Sequence, residues 1–186
     1  MEVRPIDWTG LPSRFMNDGE LEVLVALART VTELHTVVEI GVNDGRTALC
    51  LMRELPAIRQ YVGVDVFPGY VTPCRVQRAE VPANPGRLVL ADRRFKLMLR
   101  SRGSRDLRAD DLPPADLVFI DGDHSEQGVL WDAELAMRII RPGGIVVYHD
   151  YHSLGTVGVA GALHRLSDHG RLILQVEGTW FAVERF

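Results

Sequence analysis

The chain has 186 residues, of which 46% are hydrophobic and 25% are charged, and its formal net charge is −4 at pH 7. Such a chain is long enough for one domain with a sizeable core, and its charge gives no overall attraction to nucleic acid or to anionic membranes. No apolar run is long enough to span a bilayer, and the first ten residues lack the pattern of a signal peptide. Because only two cysteines occur, Cys50 and Cys74, we expect no disulfide and a cytoplasmic protein.

Helical and strand-like patterns alternate along the chain after an N-terminal arm, residues 1–16. The predicted elements are a helix from its N-cap Asn17 to Leu34, a strand from Val37, a helix over 48–55, strands over 61–65, 95–99 and 116–120, a helix capped by Ser125, a strand over 145–148, a helix capped by Thr156, and strands over 172–176 and 180–183. Five strands joined by crossovers require a mostly parallel sheet covered by helices on both faces, and the close final pair indicates an antiparallel edge hairpin. We therefore predict a single Rossmann-like, doubly wound α/β domain over residues 1–186.

The helix after Ser125 is predicted to turn one apolar face to the core. The residues that share this predicted face are Leu130, Ala133, Met137 and Ile140.

Residues 67–94 interrupt the alternation of helices and strands. They contain Pro and Gly too often for an ordinary crossover helix. Long irregular connections in compact domains are commonly functional, so we interpret this segment as an insertion or lid that faces the substrate. The alternative is an unusually long crossover.

Ten basic residues lie between Arg75 and Arg108, against only three acidic ones. A solvated basic face explains this bias. The sharper alternative is a site for an anionic group of a substrate.

The stretch V-V-E-I-G-V-N-D-G-R-T, residues 37–47, has the pattern of a ligand-binding turn. Gly41 and Gly45 permit positive φ and close backbone approach, and the helix that follows presents unpaired N–H groups. Asp65, at the end of the second strand, can accept both hydroxyl protons of a ribose. The turn and Asp65 together predict a nucleotide-like ligand, although such turns also occur as simple tight connections.

Polar residues cluster where the predicted strands end. They are Glu39, Asp65, residues 121–124 and residues 149–152. In an open parallel sheet, ligands bind beyond the carboxyl ends of the strands where the winding reverses, so this edge is the predicted site.

The sequence is similar to the class I S-adenosylmethionine-dependent methyltransferases. Residues 37–47 resemble their first motif, Asp65 resembles their ribose-binding acid, and IDGDHSEQGVLWDAELAMRIIRPGGIVVYHDY, residues 120–151, resembles their fourth strand, helix and Pro-Gly-Gly strand. Within the class, the chain is most similar to small O-methyltransferases that include catechol and macrolide-sugar enzymes. The resemblance implies S-adenosylmethionine as cofactor, and the residues that it places there are Glu39, Gly41, Asn43, Gly45, Asp65, Asp106 and Asp121.

Asp121 and Asp150 follow the fourth and fifth strands, and neighbouring strands would bring them within about 5 Å. Two carboxylates at that distance share a proton or a cation. We therefore predict a divalent ion such as Mg²⁺, held by Asp121, Asp150 and His149, which would lower the pKa of a substrate hydroxyl. The related metal enzymes carry an acidic pair or Asp-Asn where this chain has His-Asp-Tyr, so a metal-free site with structural acids stays open.

His124 lies three residues beyond Asp121, at a position where the resemblance implies a general base. Histidine suits this role because its unperturbed pKa is about 6.5. We predict His124 as the catalytic base, with a structural role as the alternative.

The predicted function is methyl transfer from S-adenosylmethionine to a hydroxyl of a small molecule of specialised metabolism, with assistance from the metal if the ion is bound. The alternatives are a metal-independent N-methyltransferase and a non-catalytic binding protein of the same fold. A nicotinamide oxidoreductase is disfavoured because the turn lacks G-x-G-x-x-G spacing. We expect a small-molecule acceptor, anionic if the arginines bind it, no nucleic-acid or membrane partner, and dimerisation, if any, through the arm or the hairpin.

Overall fold

The computed structural model describes residues 18–71, 81–152 and 158–186. Its helices are α1 (Asp18–Ala28), α2 (Arg46–Glu54), α3 (Glu126–Ile139) and α4 (Val159–Asp168), and its strands are β1 (Thr36–Ile40), β2 (Gln60–Val66), β3 (Phe95–Arg100), β4 (Ala115–Ile120), β5 (Ile140–Tyr148), β6 (Ile173–Gln175) and β7 (Ala182–Arg185). Two short 3₁₀ turns, Gly103–Asp106 and Ala109–Asp111, connect β3 to β4. Within these ranges no helix has the length and apolarity needed to cross a membrane.

The described strands form one sheet in the order β3-β2-β1-β4-β5-β7-β6. The first five strands pair in parallel, whereas β7 is antiparallel to both β5 and β6. This confirms the predicted mostly parallel sheet with an antiparallel C-terminal edge. The winding reverses between β1 and β4, so a crevice lies beyond the carboxyl ends of these two strands.

The two central strands are buried along their whole length. Alternate residues face opposite sides, so that Val37 and Leu117 belong to the core under α1 and α2, while Val38 and Val118 belong to the core under α3 and α4. Continuous apolar strands of this kind are typical of a parallel sheet covered on both faces. The strands that end at the crevice are therefore held by both cores.

Two predicted boundaries were wrong. α1 ends at Ala28 rather than Leu34, and Leu34 is buried beyond the helix instead of on it. β5 begins at Ile140 rather than Ile145, because the chain pairs with β4 at Ile140, shifts register, and pairs again at Ile145. The Pro-Gly-Gly segment lies inside this register shift rather than between separate elements.

The predicted core face of α3 was also wrong in part. Met137 is 44% exposed, whereas Val129, Ala133 and Ala136 are buried. Both stripes have helical spacing, and packing against β4 and α4 selected the one that begins at Val129.

Several predictions concern residues outside the described ranges. These are the N-terminal arm, the cap Asn17, Cys74, the cap Thr156 and residues 72–80 of the predicted lid. Cys50 is buried in α2, and burial raises the pKa of its thiol to about 12. The described part of the irregular connection packs under the first glycine turn, since Gly86 N–H donates to the carbonyl of Asn43 over 2.7 Å. Its role as a lid stays a prediction.

Two glycines with nearly equal φ separate the cost of a positive φ from the cost of close packing. Gly41 and Gly170 have φ of 90° and 91°, but a Cβ at Gly41 would overlap the carbonyl of Asp121, whereas nothing lies within 4 Å at Gly170. We expect Gly170→Ala to lower the free energy of unfolding by about 1 kcal/mol. Gly41→Ala should lower the free energy of unfolding by a further ~2 kcal/mol or more, because the backbone at Asp121 must move to admit the Cβ. Urea unfolding of both variants measures the difference, and equal losses would contradict the close approach.

Candidate active site

The turn after β1 is built from residues with positive φ. Gly41, Asn43 and Gly45 have φ of 90°, 52° and 91°, and the Asn43 side chain accepts a hydrogen bond from the N–H of Asp44 over 2.7 Å. The chain therefore reverses within five residues, and α2 begins immediately at Arg46. This places the N-terminus of a helix at the crevice, as the glycine pattern predicts.

Asp65 fixes the shape of this turn. Its Oδ2 accepts hydrogen bonds from the N–H groups of Val42 and Asn43 at 3.0 and 2.9 Å, and its Oδ1 accepts one from Val66 at 2.7 Å. Burial raises the pKa of Asp65, although these hydrogen bonds oppose the rise. The carboxylate thus joins the end of β2 to the glycine turn, and its contact with a ribose stays a prediction.

Glu39 lies inside the sheet, just before the turn. It is 1% exposed, and its Oε2 accepts a hydrogen bond of 3.0 Å from the hydroxyl of Tyr61. Burial raises the pKa of Glu39 well above its usual value, and nearby carboxylates add to the rise. Its predicted contact with the cofactor is not tested by this geometry.

The ends of β4 and β5 meet the first turn. Asp121 N–H donates to the carbonyl of Ile40 over 2.8 Å, and His149 N–H donates to the carbonyl of Ile120 over 3.0 Å. Neighbouring parallel strands therefore bring Asp121 and Asp150 together beside Gly41, as their positions at the strand ends lead one to expect.

His124 lies between these two carboxylates. Its Nε2 is 3.2 Å from Asp121 Oδ1 and 3.0 Å from Asp150 Oδ2, and its side chain is only 8% exposed. One ligand atom from each of the three residues lies within 4.8 Å of the others. The arrangement can orient an imidazole as a base, and its oxygen and nitrogen donors are also those that divalent cations use.

Local structure explains where His124 points. Ser125 caps α3 by accepting a hydrogen bond of 3.1 Å from the N–H of Gly128, which confirms the predicted cap. Gly158 N–H donates to the carbonyl of His124 over 2.7 Å. Asp150 has φ of 58°, an uncommon conformation for a residue with a side chain. Backbone constraints on both sides thus hold His124 and Asp150 in place.

His149 faces three carboxylates. Its Nδ1 is 3.2 Å from Asp121 Oδ1 and 3.6 Å from Asp150 Oδ1, and its Nε2 is 3.6 Å from Glu20 Oε2. Burial opposes a charged imidazole, but these carboxylates more than offset it and raise the pKa of His149 well above its usual value. Burial alone would likewise raise the pKa of Asp121, yet the imidazoles of His149 and His124 lower it. The carboxylates therefore favour the protonated form of His149, which lies next to the predicted base.

Sequence reasoning missed Glu20. It lies on α1, is 4% exposed, and its Oε1 accepts a hydrogen bond of 2.9 Å from the N–H of Trp180. A polar residue among the apolar positions of α1 was the available signal, but nothing local shows that Trp180, one of its partners, lies 160 residues away.

Sequence reasoning also missed Asp132, a carboxylate on the buried side of α3. It is 1% exposed on α3, and its Oδ1 accepts a hydrogen bond from the hydroxyl of Ser104. Burial raises the pKa of Asp132 to about 7. By contrast, Asp106, the predicted adenine-side acid, accepts hydrogen bonds from the backbone N–H and Nε of Arg102 at 2.8 and 2.7 Å. The structure gives Asp106 an arginine partner, and its contact with a cofactor stays a prediction.

Several arginines of the basic stretch bind carboxylates of the chain itself. The pairs are Arg87–Asp44, Arg94–Asp92, Arg102–Asp106 and Arg105–Asp123, with N–O distances of 2.6 to 3.0 Å. These pairs reduce the positive charge that the stretch could offer to an anionic ligand.

A family model described as a methyltransferase domain matches residues 38–151. The chain belongs to this methyltransferase family. The match covers more than half of the chain, and it includes both the glycine turn and the cluster around His124.

Curated relatives agree with the family. A presumed O-methyltransferase from Mycobacterium sp. (strain JLS) is 30% identical over 140 residues, which cover 75% of this chain and 59% of the relative. The corresponding protein of Mycobacterium sp. (strain KMS) matches over the same shares. The chain thus spans about three fifths of the length of these relatives.

Solved structures share the fold of this methyltransferase. The O-methyltransferase TomG from Streptomyces achromogenes, in complex with S-adenosylmethionine, has a TM-score of 0.60 and 22% identity, covering 94% of this chain and 82% of TomG. The Podospora anserina methyltransferase PaMTH1, bound to S-adenosylhomocysteine, has a TM-score of 0.66 and 14% identity, covering 92% of this chain and 80% of PaMTH1. At these identities the likeness concerns the fold alone.

The buried carboxyl of Asp132 predicts a pH effect on stability. Its pKa is about 7 in the folded protein and near 3.8 when unfolded. The folded state therefore binds the proton more tightly. The stability that protonated Asp132 contributes is complete below about pH 4 and is lost as the pH rises to 7, a loss on the order of 4 kcal/mol. Asp132→Asn, which can still accept from Ser104, should flatten this decline. Urea unfolding at pH 4.5 and 7.5 measures it, and parallel pH dependences in both proteins would contradict the assignment.

Proposed function

We propose that the protein is an S-adenosylmethionine-dependent O-methyltransferase that methylates a hydroxyl of a small molecule. The observation that carries this proposal is the position of His124 Nε2 between Asp121 and Asp150, at the carboxyl ends of β4 and β5. The family match and the O-methyltransferase name of the relatives support it.

The cofactor would lie in the crevice between the turn after β1 and the end of β4. Gly41 lets the turn lie against the backbone of Asp121, Asp65 holds the turn, and the N-terminus of α2 favours a negatively charged group such as the carboxylate of the methionine part. S-adenosylmethionine supplies the electrophilic methyl group on its sulfonium.

His124 would remove the hydroxyl proton of the acceptor. As the bond from sulfur to the methyl carbon breaks, a bond from oxygen to that carbon forms, and the hydroxyl proton moves to the imidazole of His124. Asp121 and Asp150 keep the ring oriented and stabilise the positive charge that the proton brings. The products are a methyl ether, S-adenosylhomocysteine and protonated His124, which releases its proton to solvent.

The carboxylates also fit a divalent cation. Asp121 and Asp150 would hold it, with His124 beside them as base, and a bound cation supplies positive charge that lowers the pKa of the acceptor hydroxyl. We place His149 outside the ligand set, because the ligand atoms that converge at this point belong to Asp121, His124 and Asp150.

The base assignment predicts the effect of His124→Ala. Turnover should fall by about 10²-fold or more, because the proton has no acceptor, while the affinity for S-adenosylmethionine stays within about twofold. Formation of S-adenosylhomocysteine and calorimetric titration measure the two quantities. His169→Ala, at an exposed histidine after α4, is the matched control and should leave both unchanged. Normal turnover in His124→Ala would show that the base lies elsewhere.

The cation assignment predicts different effects for the two members of the cluster. Calorimetric titration of the chelator-treated protein with Mg²⁺ should show binding that Asp150→Asn weakens by at least about tenfold, because a charged ligand is lost. His124→Ala should leave Mg²⁺ affinity within about threefold if His124 is the base. A large loss in His124→Ala would instead make it a ligand, and absence of Mg²⁺ binding would favour metal-free transfer.

A further inference from the structure

A cavity of about 450 Å³ opens next to the end of β5. Its walls come from distant parts of the chain, with Glu20 on α1, Tyr151 and His152 after β5, Gln175 on β6, and Trp180 before β7. His152 Nε2 is 3.9 Å from Asp150 Oδ1. The cavity therefore adjoins the predicted base and cation ligands, and its volume is that of a small-molecule site.

One wall of the cavity is aromatic. The rings of His152 and Trp180 lie 4.4 Å apart at an angle of 49° and form a corner. Trp180 nevertheless remains 43% exposed. A large indole surface exposed inside a concave site favours a ligand with a flat or ring-shaped apolar face.

The lining of the cavity also carries negative charge. Glu20 is held in the wall by the N–H of Trp180, and the described lining residues include no Lys or Arg. Glu20, Asp121 and Asp150 bring three carboxylates to this end of the site, and even a charged His149 offsets only one of them, which leaves a net charge of about −2. A carboxylate or phosphate in the cavity would lie next to unfavourable charge.

We propose that this cavity, here called the Trp180 pocket, holds a ring of the methyl acceptor, and that this ring is uncharged or cationic rather than anionic. The proposal rests on the proposed function, since the pocket receives the acceptor only if the neighbouring His124 and Asp150 act on it. This proposal replaces the expectation of an anionic acceptor. That expectation depended on the arginines of the basic stretch, and several of them bind the chain's own carboxylates.

Three ring probes of nearly equal size test the charge preference: benzyl alcohol, benzylamine and benzoate, titrated separately into the full chain and followed by ligand-observed NMR. We expect the alcohol and the amine to bind with dissociation constants of about 1 mM, and benzoate to bind at least about tenfold more weakly. The titrations are repeated with Mg²⁺, because a cation held by Asp150 would offset part of the negative charge next to the pocket. Equal or tighter binding of benzoate without Mg²⁺ would overturn the proposal, as would no binding by any probe.

Two pairs of variants locate the probes. Trp180→Ala should weaken benzyl alcohol at least about fivefold, while Trp131→Ala, which removes an indole with the same 43% exposure on α3, should not. Glu20→Gln should reduce the preference for benzyl alcohol over benzoate at least about threefold, while Glu177→Gln, an exposed acid in the β6–β7 turn, should leave it unchanged. Equal effects within either pair would place the probes outside the Trp180 pocket.

S-adenosylmethionine titration of the same samples separates the two proposals. Probe binding without cofactor binding contradicts the proposed function alone, and cofactor binding without probe binding contradicts the pocket alone. Trp180 is partly exposed, so we expect Trp180→Ala to fold. This variant can therefore test the pocket even if Glu20→Gln does not fold.

Discussion

The contact between the backbone at Gly41 and the backbone at Asp121 is the constraint on which the site depends. Only a residue without Cβ can approach the Asp121 carbonyl so closely, and the hydrogen bond from Asp121 N–H to the Ile40 carbonyl fixes the same junction. Because β1 and β4 are the strands between which the winding reverses, this contact sets the width of the crevice. The glycine turn, Asp65 and the cluster around His124 are all positioned relative to it.

The cluster at this junction concentrates charge in a buried place. Carboxylates of Glu20, Asp121 and Asp150 face the imidazoles of His124 and His149, with side-chain exposures between 5% and 25%. Removing such groups from water is unfavourable unless each one has a partner. The cluster is therefore not explained by a contribution to the stability of the fold. Buried titratable groups arranged around a cleft are instead typical of active sites. The two cores above and below the sheet provide the stability that this arrangement does not.

Much of the fold and part of the site could be predicted from local patterns. Apolar runs ending in Asp65 or Asp121 indicated buried parallel strands. Ser125 could be predicted as a cap because a serine directly before a helical pattern can accept a hydrogen bond from an N–H of the first turn. The inward face of α3 could not be predicted correctly, because two stripes of residues had helical spacing and only packing decided that Met137 faces solvent. The burial of Asp132 could not be predicted either, because the spacing did not decide which side of α3 faces the core.

The sequence by itself determined the alternation of elements, the positive-φ turn and the presence of Asp121 and His124 on one short loop, because hydrophobic period and turn chemistry act over a few residues. Tertiary structure alone decided that Glu20 of α1 meets His149 and Trp180, that His124 lies between Asp121 and Asp150, and that several arginines bind the chain's own acids. These contacts join residues far apart in the chain, and their formation depends on how helices and strands pack. No local preference of the backbone or the side chains encodes that packing.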